Sequence, residues 1–234
     1  MFAQLFSGPK DEAEAARVAR SGSGFARVRQ GVTAGLALAL DPNDTQQVFY
    51  LAQAVDRDSL PRILAELSQH AGGRELMRVR PVIDSKHVDF AALEALPAHT
   101  LGGAYARALR AQQLDPDIFE AAPPGLPADQ AYLAQRMRQT HDLWHVLTGL
   151  ATDIPGETAL QAFAYAQLRQ NFSGLIAVFG LAFFGVRYPR MWSLVRRAAR
   201  AGKAASYLLA VRWEDHWRES LHDVRRRYGI ADPI

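Results

Sequence analysis

Two histidines and an aspartate lie together near the middle of the chain, and a glutamate follows after eleven intervening residues. The stretch reads His141-Asp142-Leu143-Trp144-His145, and the glutamate is Glu157. Imidazole nitrogens and carboxylate oxygens are protein ligands that zinc, iron(II) and manganese accept. The four side chains therefore predict a bound divalent metal ion, but their types do not choose among these three metals.

The residues around the motif predict the element that carries it. Apolar side chains recur there at helical spacing: Tyr132, Leu133, Met137, Trp144, Leu147 and Leu150. We expect a single helix with Asp129 as its N-cap. Residues one and four positions apart in a helix point within about a quarter turn of one another. His141, Asp142 and His145 can therefore converge on one ion.

Glu157 must reach the site from a second helix. Pro155-Gly156 breaks the first helix, and Asp153 is a predicted N-cap of the next one. Glu157 then falls in the first turn of this second helix. If the chain reverses in the loop and the two helices run antiparallel, the carboxylate comes back toward the imidazoles. The length of the loop permits this reversal.

An interpretation without a metal must be weighed against this prediction. Histidines four residues apart on a helix often make only ordinary polar contacts, and a glutamate in a first turn is favoured by the helix dipole alone. Asp142 beside the first histidine, the acidic residue on the next helix and the apolar setting favour the metal. Closed structural sites are usually rich in thiolates, and the chain has no cysteine.

The same residues resemble the signature of a known family. The pattern His-Asp-x-x-His, eleven residues, Glu is typical of the Coq4 family of ubiquinone (coenzyme Q) biosynthesis proteins, and here it spans residues 141–157. Similarity extends to residues 96–105, to Trp213-Glu214 and to Tyr228-Gly229-Ile230, and covers about residues 45–230. Two features depart from the family. Its Lys-Trp pair after the glutamate is here Gln161-Ala162, and residues 1–44 match nothing in it.

The resemblance implies an all-helical metalloprotein of ubiquinone biosynthesis. Its metal ligands are expected to be His141, Asp142, His145 and Glu157, which act in catalysis through the ion. Zinc is the first choice of metal, with iron(II) and manganese as alternatives. The expected activity is oxidative decarboxylation and hydroxylation at the ring carboxyl carbon, C1, of a polyprenylated hydroxybenzoate. The expected partners are this polyprenylated quinone precursor, the other ubiquinone biosynthesis proteins and a membrane surface.

Two other functions compete with this one. In the first, the protein is a non-catalytic lipid-binding scaffold that organises the quinone-biosynthetic enzymes, and the metal only holds two helices together. In the second, it is a phosphohydrolase of the His-Asp type, which needs further histidines and aspartates at separated positions. The remaining histidines show no such ligand spacing, and we expect ordinary polar roles for them: His70, His87, His99, His216 and His222.

Composition favours one globular domain over residues 1–234, in which residues 1–44 form an N-terminal extension. Of the 234 residues, 49% are hydrophobic and 22% are charged, which is enough for a substantial core. The N-terminus lacks a basic signal region and soon becomes acidic. This predicts a bacterial cytoplasmic protein. The resemblance and the basic stretch 187–203 add the expectation that it is peripheral on the cytoplasmic face of the inner membrane. A homodimer stays open, and a net charge of only +3 without a base-reading motif argues against nucleic acid as a partner.

Helical periodicity recurs along nearly the whole chain, and prolines mark the boundaries between segments. No stretch shows a convincing alternation of the strand type. We therefore predict an all-α, single-domain multi-helix bundle with an apolar lipid-binding cavity. The proline-rich stretch 121–127 is interpreted as a loop within the domain, and residues 203–228 are predicted to form the last helix.

Two neighbouring stretches predict contact with lipid. Residues 170–186 carry no charge. They fit a buried core helix or the wall of a lipid pocket, with glycines that let a ligand approach, and are short for a transmembrane span. The resemblance favours the pocket. Residues 187–203 hold six basic residues and no acidic one, with apolar and basic positions on different helix faces. They are predicted to lie on an anionic membrane surface, with a solvated basic face as the alternative.

Overall fold

The computed structural model describes residues 56, 58–119, 126–230 and 233–234. Within these ranges the regular structure consists of ten α-helices and three 3-10 helices, without a β-strand. The predicted all-α class is therefore confirmed. The predicted N-terminal extension lies outside the described residues, and so does most of the 121–127 loop.

The helices follow one another along the chain without long interruptions. They are α1 (Ser59–Gln69), α2 (Ala71–Val79), α3 (Phe90–Ala95), α4 (Leu101–Ala111), α5 (Ala128–Gln139), α6 (His141–Thr148), α7 (Ile154–Leu168), α8 (Asn171–Phe184), α9 (Met191–Ala204) and α10 (Leu221–Arg227). The 3-10 helices span Pro116–Phe119, Leu208–Ala210 and Trp213–His216.

Helix α7 has more buried residues than any other described helix, and it positions the carboxylate of the predicted site. Residues 158–164 of this helix are all buried, and α8 and α9 pack against it. Phe163 is fully buried and meets the ring of Trp144 in α6 edge to face, with 5.8 Å between the ring centroids. A Cβ on Gly202 of α9 would lie 2.5 Å from the Phe163 carbonyl oxygen. This close packing fixes the first turn of α7, which carries Glu157.

Residues 96–105, which resemble the family, pack against the segment that precedes α10. Thr100 caps the N-terminus of α4, and the amide of Leu101 donates a hydrogen bond to the Glu219 carbonyl at 2.9 Å. One turn later Tyr105 stacks on Trp217, with 5.7 Å between ring centroids and an angle of 7° between the planes. Helix α4 in turn packs against α6, the helix of the two histidines.

The uncharged stretch 170–186 forms α8, which lies on α7 and leaves part of its apolar surface exposed. Its buried residues are Ser173, Ala177 and Gly180. Val178 and Phe183, by contrast, are 62% and 49% exposed. Helix α8 is thus a half-exposed helix rather than a fully buried one. In the part of the chain that the structure describes, no helix has the length and apolar character that crossing a membrane requires.

The predicted apolar lipid-binding cavity is not shown by the described residues. The glycines that suggested a pocket wall serve close helix packing instead. A Cβ on Gly180 would lie 2.4 Å from the Thr158 hydroxyl oxygen of α7, and one on Gly174 would lie 2.8 Å from the Tyr165 ring. The cavity that touches the predicted metal site measures about 10 Å³, which is room for one water at most.

The basic stretch 187–203 forms α9, and its predicted two-sided character is confirmed. The buried residues of this helix are Met191, Val195, Ala198 and Gly202. The exposed basic side chains on and beside it are Arg187, Arg190, Arg196, Arg197, Arg200 and Lys203. The apolar face packs on α7, so the basic face is left to solvent or to a partner.

The prediction of one continuous helix through the motif is wrong. Helix α5 ends at Gln139, and α6 begins at His141. The residue between them, Thr140, donates its buried hydroxyl to the Arg136 carbonyl at 2.9 Å. Such back-bonding by a threonine competes with the backbone ladder and bends a helix. The two histidines therefore lie on a separate helix of only eight residues.

Two other predicted boundaries are also wrong. Pro127 occupies the N-cap position of α5, and Asp129 lies in the first turn, where it pairs with Arg80. Residues 203–228 are not one helix, because the chain breaks after α9 and passes through two 3-10 helices before α10. The break lets four apolar residues enter the core, and these are Leu208, Leu209, Val211 and Trp213.

Candidate metal centre

Three of the four predicted ligands come together at the junction of α6 and α7. Nε2 of His145 lies 3.0 Å from Oε1 of Glu157, and Nε2 of His141 lies 3.4 Å from Oε2 of the same carboxylate. One ligand atom from each of the three residues falls within 4.8 Å of the other two. The imidazole rings meet at 82°, with 5.0 Å between their centroids. The predicted return of Glu157 toward the histidines is therefore confirmed.

Residues 149–153 make the chain reversal that brings the ligands together. Gly149 ends α6 with φ of 72°, a left-handed conformation that suits glycine. Asp153 caps α7, and its carboxylate accepts a hydrogen bond from the Gly156 amide at 2.8 Å, which confirms the predicted N-cap. A Cβ on Gly156 would lie 1.9 Å from the Ala151 carbonyl oxygen, so the turn needs glycine at this position. Glu157 follows directly after it.

The hydrogen bonding of His145 leaves one ring nitrogen without a partner. Nδ1 lies 3.0 Å from the Leu150 carbonyl oxygen, which can only accept, so Nδ1 carries the proton. In the neutral ring Nε2 is then an acceptor. This atom is buried, has no hydrogen-bond partner among the described residues, and faces a Glu157 oxygen. Two acceptors in contact require a proton or a cation between them, and ligand histidines commonly have this Nδ1 contact. The three residues therefore fit a divalent metal ion.

Electrostatic interactions within the cluster keep the carboxylate charged. Burial acts to raise the pKa of Glu157, but the neighbouring imidazoles of His141 and His145 outweigh it and lower that pKa to about 2. Burial acts to lower the pKa of His141, whereas Glu157 and Asp142 raise it and prevail. The Glu157 carboxylate therefore stays negatively charged and can pair with a protonated imidazole or with a metal ion.

Asp142 has a different position from the other three residues. Its carboxylate is not among the ligand atoms that lie within 4.8 Å of one another. The side chain lines the small cavity of about 10 Å³, together with Tyr105 of α4 and His145. Burial raises the pKa of Asp142, although the two imidazoles act in the opposite direction. The structure therefore brings Asp142 beside the cluster, and its role as a fourth ligand stays a prediction.

Comparison with known proteins decides the family. A family model described as coenzyme Q (ubiquinone) biosynthesis protein Coq4 matches residues 22–233. The chain belongs to the Coq4 family. The match begins at residue 22, so the Coq4 region reaches further toward the N-terminus than the predicted start near residue 45 and includes part of the 1–44 extension.

Named relatives and a solved structure agree with this membership. The mitochondrial ubiquinone biosynthesis protein COQ4 homolog of Drosophila ananassae is 31% identical over 216 residues, which are 89% of this chain and 79% of that protein. The mitochondrial COQ4 protein of Coprinopsis cinerea is 29% identical over 206 residues, which are 86% of this chain and 70% of that protein. The crystal structure of a candidate ubiquinone biosynthesis protein from Nostoc punctiforme superposes with a TM-score of 0.69 and 26% identity, over 86% of this chain and 97% of that one.

Sequence reasoning missed a buried ion pair that supports the Coq4 motif. Arg136 of α5 is 2% exposed and donates two hydrogen bonds, of 2.6 and 2.9 Å, to the carboxylate of Glu214. The carbonyl of Arg136 also accepts a hydrogen bond from the Thr140 hydroxyl. This pair ties the turn before α6 to the Trp213–His216 segment. The available signal was an arginine one turn after Leu133, on the apolar face of the helix.

Proposed function

We propose that this Coq4 protein is a metal-dependent enzyme of ubiquinone biosynthesis, with His141, His145 and Glu157 as metal ligands and Asp142 as the predicted fourth. The observation that carries this proposal is the buried Nε2 atom of His145, which faces a carboxylate and lacks a hydrogen-bond partner in the part of the chain that the structure describes. A cation satisfies both groups at once. Zinc, iron(II) and manganese all accept this set of donors.

The exposure of the ligands leaves room for a substrate on one side of the site. The side chains of His141 and Glu157 are 32% and 40% exposed, whereas that of His145 is 5% exposed. A substrate oxygen can therefore approach from the side of His141 and Glu157 while His145 stays held by its backbone hydrogen bond. A divalent ion bound there would act as a Lewis acid toward a carboxylate or phenolate oxygen, or would acidify bound water.

The proposed reaction is oxidative decarboxylation with hydroxylation at C1 of a polyprenylated hydroxybenzoate. The bond between C1 and the carboxyl carbon breaks and carbon dioxide leaves, while a C–OH bond forms at C1. With dioxygen as the oxygen donor and a two-electron reductant, water is the other product and atoms and electrons balance. Membership of the Coq4 family supports this choice of substrate, and the charged, half-open ligand cluster supports a reaction that needs a bound cation.

Activity of single variants tests the catalytic role. We expect His141→Ala to abolish turnover of the prenylated hydroxybenzoate while its far-UV circular dichroism stays that of the wild type. His222→Ala, which replaces an exposed histidine of α10, is the matched control and should keep full activity. Normal turnover by His141→Ala contradicts the catalytic role.

We propose further that α8 and α9 bring the protein to a membrane, where polyprenylated substrates reside. The exposed apolar side chains here are Val178, Phe183, Val186 and Trp192, and Val186 is 92% exposed. The basic face of α9 follows directly in the chain. Apolar side chains beside arginines suit an anionic lipid surface, to which each basic residue adds about 1 kcal/mol.

Vesicle binding tests this second proposal. The double variant Phe183→Glu, Val186→Glu should lose most of its cosedimentation with vesicles that contain an anionic phospholipid. Val79→Glu is the control, because Val79 is an apolar residue of α2 with 39% exposure. Equal cosedimentation of the wild type and the double variant contradicts membrane binding through this surface.

A scaffold role is the second candidate function, because the three ligands join two helices and an ion there would hold α6 to α7. In that case a chelator lowers the melting temperature and releases the other coenzyme Q biosynthesis proteins, and no prenylated hydroxybenzoate is consumed. Turnover by the metal-loaded wild type rules out a non-catalytic scaffold. A homodimer and the bacterial cytoplasmic location stay predictions, and the relatives above are named as mitochondrial proteins.

A further inference from the structure

The C-terminal end of α6, the short helix of the two histidines, is held by residues far away in the sequence. The last four carbonyl groups of any α-helix lack partners within the helix. Here the carbonyl of His145 accepts from the Gly149 amide, those of Val146 and Leu147 accept from the Arg225 guanidinium, and that of Thr148 accepts from the Ile234 amide, each at 2.8 Å. All four carbonyls are therefore satisfied, two of them by one side chain.

We propose that Arg225 of α10 is a positioning residue for the metal centre, an inference that rests on the proposed metal-binding function. Its Nε donates to the Leu147 carbonyl and its Nη2 to the Val146 carbonyl. A guanidinium presents both donors in a fixed fork, and its charge lies at the negative end of the helix dipole. A helix of eight residues is marginal by itself, so α6 depends on the packing of its buried face and on contacts at its ends such as this one.

The end of α6 is coupled directly to a ligand. His145 donates from Nδ1 to the Leu150 carbonyl, and Leu150 comes immediately after Gly149, where α6 ends. If the last turn of α6 opens, the Leu150 carbonyl moves, and His145 loses the contact that sets its protonated nitrogen and ring orientation. Arg225 therefore acts on the site through the backbone of α6, without touching the ion or the substrate.

The test compares metal binding by Arg225→Met and Arg225→Lys with that of the wild type, measured by competition with a chelator. We expect Arg225→Met to bind zinc about tenfold more weakly or worse, because the loss of supporting contacts around a metal site costs 10- to 100-fold in affinity. Arg225→Lys keeps the charge and one donor, so its affinity should lie between the two. The absorption spectrum of the cobalt(II)-loaded protein should change in Arg225→Met, since the orientation of His145 changes.

Two controls separate positioning from a general loss of stability. Arg226→Met removes the neighbouring arginine, which is exposed and pairs with Asp223 at the surface, and should bind metal as the wild type does. Val224→Ala weakens the packing of the same helix at a fully buried residue but leaves the contact to α6 in place. It should lower the melting temperature with little change in zinc affinity or in the cobalt(II) spectrum.

The outcomes distinguish this inference from the proposed function. A wild type that binds no divalent metal contradicts both. A wild type that binds metal, beside an Arg225→Met variant of equal affinity, contradicts only the positioning role, and so does a Val224→Ala variant that loses as much affinity as Arg225→Met. If Arg225→Met fails to fold, Arg225→Lys decides, because wild-type affinity in that variant overturns the inference.

Discussion

Among the described residues, imidazole and glutamate lie together at Glu157 and at Glu219, as they also do at Glu66, and only the Glu157 carboxylate meets two imidazoles. At His145 one ring nitrogen is used by a backbone carbonyl, and the other faces Glu157 without a hydrogen-bond partner among the described residues. At His216 both nitrogens are used, since Nδ1 lies 2.7 Å from Glu219 and Nε2 lies 2.8 Å from the Tyr228 hydroxyl. Proximity of the two groups does not by itself indicate a metal. A buried ring nitrogen without a partner does not either, because Nε2 of His70 is such an atom and lies 3.5 Å from Glu66. Its combination with two imidazoles on one carboxylate does.

Glu157 and Glu219 also differ in the charge of the groups that surround them. Glu219 pairs with the Arg227 guanidinium at 2.7 Å, and hydrogen bonds from Arg227 and His216 lower its pKa. Its negative charge is already compensated, and the contacts join the last 3-10 helix to α10. The ion pairs of Glu157 are with the two imidazoles of the cluster, which are neutral when they act as ligands. The charge of Glu157 therefore favours a metal ion.

Replacing the two histidines should separate the regions most strongly. His145→Ala removes a ligand nitrogen, and we expect calorimetric titration of the metal-stripped variant with zinc to show no tight binding. His216→Ala should bind zinc as the wild type does. It should instead lower the free energy of unfolding in urea by about 1 kcal/mol, because two half-buried partners, Glu219 and Tyr228, lose a hydrogen bond. Equal zinc binding by the two variants would remove the distinction between the clusters.

The two glutamates should differ next. Glu157→Gln keeps the shape of the side chain and removes its charge, so we expect zinc affinity to fall by about 100-fold, at the upper end of what even outer contacts of a metal site cost. Glu219→Gln should leave zinc affinity unchanged. Chelator competition measures both, and a loss of affinity in Glu219→Gln would show that the second cluster also acts on the metal.

The pH should act in opposite directions on the metal-free and metal-loaded protein. The raised pKa of His141 gives the metal-free fold a stabilisation that is complete below the unfolded value of 6.5 and is lost as pH rises through the folded value. The lowered pKa of Glu157 gives a stabilisation that is present above its unfolded value of 4.5 and is lost as pH falls toward about 2.

Metal binding reverses the first of these trends. Protons compete with the metal for the imidazoles, so zinc affinity should rise with pH, by about tenfold per pH unit for each proton displaced. Melting temperatures of the metal-free protein and zinc affinities between pH 5.5 and 8.5 (roughly the range in which an imidazole titrates) check this. Zinc affinity that falls as pH rises in this range would contradict the assignment of His141 as a ligand.

The smallest loss of zinc affinity is expected at Asp142, the predicted fourth ligand. Asp142→Asn should weaken zinc binding by about tenfold, as expected for a side chain that lies near the ion without binding it. The loss should thus be smaller than in Glu157→Gln. The reason is that the Asp142 carboxylate lies beside the three clustered ligand atoms and not among them. A loss equal to that of Glu157→Gln would make Asp142 a full ligand, as the motif predicts.

The sequence predicted those parts of the site that depend on local signals. Asp153 and Pro155 are strong markers of a helix start, and they correctly placed Glu157 on a second helix that returns to the histidines. The break at Thr140 was missed, because a threonine within a helical pattern bends the chain only when its hydroxyl finds a carbonyl such as that of Arg136. Helical periodicity alone does not contain this information.

The contacts that hold the site from a distance were out of reach of the sequence. Arg225 lies in the last turn of α10, yet its guanidinium satisfies the end of α6. The residue is separated from Leu147 by 78 positions, and no local pattern links the two. The glycines of α8 are a second case. They were expected to let a lipid approach, but they allow α7 to pack closely instead.

Elemental analysis of the purified wild-type protein, beside His145→Ala prepared in the same way, decides whether His141, His145 and Glu157 hold a metal ion. His145 contributes the buried nitrogen that lacks a partner. We therefore expect about one equivalent of zinc, iron or manganese in the wild type and almost none in the variant. A wild type that is free of metal, and that takes up none when these ions are supplied, would contradict it.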